Sequence, residues 1–189
     1  MPETGNPPSR VPLFLQFLPL SIFATYAFWH GEPGVDRWQK AFVIGAAAAV
    51  VQVALGWARR QPASRVALGG SAFLVTGGLA VVARQWAVLR GLGALRESAV
   101  LLFVVLVGLA SVWTRAGFVG AAGGDPRAVR RASLVLLAAA IAAFLVSLPF
   151  RGRGTWVVTV ALVGLVVANQ WLLERLHHSE DATATGARR

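Results

Sequence analysis

An all-α, polytopic transmembrane helix bundle is the fold class this sequence predicts, on three observations. Six long apolar stretches fill the chain from 11 to 173, short arginine-bearing breaks separate them, and no carboxylate lies mid-stretch. A helix of eighteen residues reaches about 27 Å, close to the hydrocarbon thickness of a bilayer. Water is absent at that depth, so each crossing must satisfy its backbone polar groups as a helix. Six spans consume nearly all of the 189 residues. The expected organisation is a disordered tail at 1–10, one membrane domain at 11–173 and a polar tail at 174–189.

Taken in order, the first span covers 11–30. Pro12 and Pro19 interrupt it, and it closes in Tyr26-Ala27-Phe28-Trp29-His30 rather than a small-x-small cleavage site, so it reads as a retained helix. Pro33 and Gly34 then break the chain, with Trp29 and Trp38 bracketing the turn as interfacial anchors. The second span covers 41–58 and the third 66–83. The connection 84–98 is ambiguous: Arg84-Gln85-Trp86 suits the snorkelling end of span three, and 87–95 suits a segment lying along the interface. The fourth span, 99–113, reaches only about 22 Å, which keeps a five-span reading open. Spans five and six cover 132–150 and 155–173, and the tail beyond Ser179 is expected to fray.

Composition excludes more than it identifies. The formal charge is +10, but the cations are spread over every loop, as topology-setting residues are, so nucleic acid is not an expected partner. Zero cysteines rule out disulfides, thiolate metal sites and cysteine nucleophiles. Arginine outnumbers lysine 17 to 1, a bias that suits a GC-rich bacterial genome. The N-tail, second and fourth loops and C-tail together carry eleven basic residues against seven in the other loops, which predicts both termini in the cytoplasm.

Small and polar residues fall at helical spacing. In span two Gly45, Ala48, Ala49, Gln52 and Gly56 share one face, suited to close backbone approach, with the Gln52 amide available for an interhelical hydrogen bond. Gly69-Gly70 and Gly77-Gly78 in span three, and Ala161, Gly164 and Ala168 in span six, read as packing positions too. Span one carries the stripe Pro12, Gln16, Pro19, Phe23, Tyr26 and His30. Gln16, Tyr26 and Gln52 are therefore the candidate lining of a polar crevice. Asn169 and Gln170 are expected to cap or anchor span six, and Arg96-Glu97 to form a boundary ion pair.

Catalytic chemistry finds little footing. The histidines are only His30, His177 and His178, no metal-binding spacing occurs, and no mid-membrane carboxylate could relay protons. No catalytic residue, metal or cofactor is expected.

Phe14-Leu15-Gln16-Phe17-Leu18-Pro19-Leu20 resembles the opening of the YciB inner-membrane family, also called intracellular septation protein A, which usually has an acidic residue where Gln16 stands. Gln52-Val53-Ala54-Leu55-Gly56-Trp57 followed by Arg59-Arg60 is similar to that family's second span and its basic exit. Beyond span two the likeness is one of length and span pattern, and 93–98 lacks the family's Trp-Lys-Pro-like entry to the fourth apolar region. The resemblance implies a non-enzymatic protein of the bacterial inner membrane that supports envelope maintenance or division, with membrane lipids and envelope or division proteins as partners. Self-association is left open. The alternative expectation is a transporter or lipid-handling protein that uses the Gln16, Tyr26 and Gln52 crevice.

Overall fold

Asp125 and Pro126 start a helix six residues before the apolar run that foretold it. The Asp125 carboxylate accepts from the Arg127 amide at 3.1 Å, and Pro126 occupies a first-turn position that needs no donor. The computed structural model describes residues 13–29, 34–59, 64–121, 125–150 and 156–186, with side chains from Leu15 to Leu176. Among them the structure is helical, with no strand. The helices are α1 (Leu13–Gln16), α2 (Leu18–Phe28), α3 (Val35–Ala58), α4 (Arg65–Val82), α5 (Trp86–Leu95), α6 (Ser98–Val112), α7 (Pro126–Ser147) and α8 (Trp156–Gly186). A short 3-10 turn, Leu148–Phe150, ends α7.

Four helices are long and apolar enough to cross a membrane: Val35–Ala58, Arg65–Val82, Pro126–Phe150 and Trp156–Leu176. The pair Trp86–Leu95 and Ser98–Val112 makes a fifth only as a span bent by 104°. At eleven residues α2 reaches about 16 Å, half a bilayer. The six expected spans thus become four full-length helices, one bent pair and one short helix. The ambiguous connection is α5, turned sharply away from α6. The C-terminal segment expected to fray past Ser179 continues α8 to Gly186.

Successive legs run antiparallel. Gln52 meets Gln16 while Trp38 meets Phe28, which orders α2 against α3. Ser147 bonds Ser98 while Leu137 lies over Gly108, which orders α6 against α7. This arrangement sorts the seven tryptophans. Trp29, Trp38, Trp86 and Trp156 sit at one end of the bundle, beside the α6 start; Trp57, Trp113 and Trp171 sit at the other. Trp38 and Trp57 on α3 are about 28 Å apart along the axis, the separation of two aromatic belts across a hydrocarbon core. Between them α3 exposes Val43, Ile44, Val50, Val51 and Leu55, and α7 exposes Leu134, Val135, Ile141, Leu145 and Val146. In water this would be an untenable apolar surface; in lipid it is the solvated face. The protein is embedded in a membrane.

The centre of the bundle is α4, whose apolar window is 56% buried against 22–28% for the three other full-length helices. Its glycine doublets explain how one helix receives several neighbours. A Cβ on Gly69 would meet Val104 Cα of α6 at 2.6 Å, and one on Gly70 would meet Leu20 Cδ1 of α2 at 2.5 Å. On Gly77 and Gly78 it would meet the Phe42 ring and Ala46 of α3. Each doublet therefore presents bare backbone where a partner lies.

Candidate functional site

Gln16 and Gln52 are brought together. Helix α1 ends at Gln16, and Phe17 (φ −101°, ψ 7°) departs from helical geometry before α2 begins. Proline at position 19 supplies no amide hydrogen, so the Leu15 carbonyl four residues back loses its usual donor. In the disrupted turn the Gln16 main-chain carbonyl accepts from Gln52 Nε2 at 2.9 Å. The side-chain oxygens of both glutamines are buried without a partner among the described residues. Tyr26 does not join them. It lies ten residues further, about 15 Å along the helix, 40% exposed over a shallow hollow with Lys40, Val43 and Ile44. The three residues do not form one crevice, because the helix axis separates Tyr26 from the glutamines.

The packing positions divide likewise. Gly45 is enclosed, its hypothetical Cβ 3.1 Å from both Phe23 and Leu74, and Ala49 is fully buried. Gly70 and Gly77 are filled sites, as above. Gly56 and Gly164 have nothing within 4 Å and are not contact positions. Each lies at a point where no neighbouring helix comes close, which spacing along a single helix cannot reveal. Ala168 is half-buried against the core. Asn169 caps nothing: it is mid-helix in α8 and buried, with Oδ1 unpartnered among the described residues.

A larger feature was not foreseen. Between α2 and α8, over α4 and the start of α6, lies a chamber of about 630 Å³. Phe17, Leu20 and Ala24 line it from one side, and Leu162, Val163 and Val166 from the other. Trp38 and Phe73 form part of its wall, held in an aromatic cluster through Phe23 with centroids 5.3 and 6.0 Å away. Its length follows α2 from Phe17 to Phe28, about 16 Å. Val163 and Val167 are more than half exposed, so the chamber opens sideways to the bilayer. The few polar groups bordering it include Arg96 and Glu97 of the α5–α6 turn. Ser21 also borders it, but its hydroxyl donates back to the Phe17 carbonyl at 3.2 Å. Chemically the walls are apolar, with charge from Arg96 and Glu97 at one border.

Two serine clamps steady the surroundings. Ser147 Oγ lies 2.9 Å from Ser98 Oγ and donates to the Phe144 carbonyl at 2.7 Å, tying α7 to the α6 start beside Arg96. At the opposite end Ser133 Oγ accepts from the amides of Phe118 (2.9 Å) and Val119 (3.4 Å), closing the loop after α6. Isolated serines in apolar runs were the only sequence signal for either. Among the described residues no three His, Asp or Glu side chains gather as metal ligands. His30 and the side chains of His177 and His178 lie outside the described residues. No family model matches the chain, and neither does any curated protein or solved structure.

Proposed function

We propose that this is a non-enzymatic lipid-handling protein of the bacterial inner membrane, which takes the apolar chain of an amphiphile into the lateral chamber. The observation that carries this reading is the chamber itself. Its volume falls within the ~300–1,000 Å³ range of ligand pockets, with apolar walls and charge confined to one border. Both termini face the cytoplasm in this reading, supported by the excess of basic residues at the Trp57, Trp113 and Trp171 end. The test is photo-crosslinking in native membranes with a lipid bearing a diazirine on its acyl chain. Adducts are expected on peptides of α2 and α8, and Ala24→Trp, which fills the chamber, removes them. Labelling spread over the outer faces of α3 and α7, insensitive to that substitution, defeats the reading.

A second reading, envelope maintenance or division through membrane partners or self-association, is favoured by a different observation. The two segments that resemble the YciB family, 14–20 and 52–57, meet in space through the Gln52–Gln16 bond. Deletion in the native bacterium with an envelope-integrity or septation readout tests it, with complementation by Gln52→Leu as the informative arm.

A further inference from the structure

We infer that the chamber's occupant is an anionic phospholipid, one acyl chain lying between α2 and α8 and its phosphate held at Arg96. The inference rests on the lipid-handling reading and adds the headgroup. Three observations lead to it.

The first is position. Arg96 borders the chamber at the end marked by Trp29, Trp38, Trp86 and Trp156, the depth at which lipid headgroups lie. A chain entering from the bilayer core thus leaves its own phosphate beside this guanidinium, which offers the planar donor fork that suits phosphate oxygens.

The second is the conformation of Arg96 itself, at φ 48° and ψ −131°. Glycine adopts that backbone freely; a side chain there is strained, and such strain persists where surrounding structure or function demands the residue. Arg84 at the other end of α5 has φ 54°. Arginine thus occupies both turns that glycine would fit with less strain, in a helix that itself contains Gly91 and Gly93.

The third is α5. It is set at 104° to α6, buries Leu92 and exposes Trp86 and Arg90, as a helix lying in the membrane interface does. Of the α5 arginines, Arg96 borders the chamber, next to Glu97, while Arg84 and Arg90 extend a basic collar along the interface away from it. Such a collar favours anionic over zwitterionic headgroups.

The experiment uses the purified full chain in detergent, with native mass spectrometry against an equimolar mixture of phosphatidylglycerol and phosphatidylcholine of matched acyl chains. Retention of phosphatidylglycerol is expected to exceed that of phosphatidylcholine about fivefold, the preference one basic residue near an anionic surface confers. Arg96→Gln brings the ratio close to one, whereas Arg90→Gln, away from the chamber, largely keeps it. Arg96→Gly should also lose the preference while raising the melting temperature, because the backbone strain is released. Millimolar inorganic phosphate, lacking a chain, should displace little lipid; displacement by phosphate alone shows a free-anion site and overturns the inference. So does an unchanged ratio in Arg96→Gln. If diazirine lipids label α2 and α8 but no headgroup preference exists, the lipid-handling reading stands and the anionic assignment falls. If labelling of the chamber is absent, or is replaced by crosslinks between two copies of the chain, both fall.

Discussion

Replacing Gly69 by alanine adds one methyl group at the point where α4 and α6 approach most closely among the glycine contacts. The new Cβ would lie 2.6 Å from Val104 Cα, 2.8 Å from its Cγ2 and 3.0 Å from its amide nitrogen. Two of those atoms are backbone, so no rotamer change relieves the contact and the helices must separate. Overpacking of this kind costs about 1–3 kcal/mol. It is opposed by the gain in helix propensity from glycine to alanine, up to about 1 kcal/mol. Gly56→Ala supplies the control, since its Cβ would meet nothing within 4 Å and only the propensity gain remains. The two variants should therefore differ by about 1–3 kcal/mol, with Gly69→Ala the less stable. Equilibrium unfolding in mixed detergent and SDS, followed by tryptophan fluorescence or circular dichroism, measures this difference. Equal midpoints for the two variants would refute the close α4–α6 contact and the central placing of α4.

Ser133→Ala removes the acceptor for the buried Phe118 and Val119 amides; by the desolvation cost of a buried unpaired donor it should destabilise by about 1–3 kcal/mol. Wild-type unfolding of that variant in the same SDS titration contradicts the loop closure. Gln52→Leu leaves the Gln16 carbonyl without its donor, and should cost the roughly 0.6–2 kcal/mol of an interhelical bond. It should also speed amide hydrogen exchange around the α1–α2 break, and protection there equal to wild type rejects the contact.

The bundle was legible because its driving pattern is local. Runs of apolar residues between arginines announce helices wherever water is absent, and α4 and α6 begin within a residue of where the runs do. Helix ends were less legible where hydropathy and helicity part company. Helix α3 starts at Val35, six residues before its apolar run, because Asp36, Arg37 and Lys40 sit in an interface that tolerates charge while the backbone is already helical. The candidate packing faces were half legible for a similar reason. Spacing places Gly45 and Gly56 on one stripe, yet only Gly45 meets a neighbour, because α2 and α4 cover that part of α3. The chamber was not legible at all. Its walls come from α2, α3, α4, α6 and α8, and are mostly the same Val, Leu and Phe that face lipid elsewhere. Only the coincidence of those walls with Arg96 distinguishes them, and that coincidence is tertiary.

The chamber and the shape of the bundle have one physical origin. Helices α2 and α6, at eleven and fifteen residues, are both too short to match a hydrocarbon core of about 30 Å, and both contribute to the same chamber. In α2 the shortfall follows from the break at Phe17 and Pro19; in α6 it follows from the turn at Arg96 that diverts α5 along the surface. A short helix leaves the adjacent bilayer to thin or its own flanking residues to reach the interface. Either response brings headgroups toward the α5 collar and places acyl chains beside the gap between α2 and α8. The aromatic cluster of Phe23, Trp38, Phe42 and Phe73, with ring planes inclined by 47–62°, gives that gap a wall of bulky, closely packed rings. Short helices, strained arginine and aromatic wall thus all support the proposed reading, a lipid held at its head and along one chain.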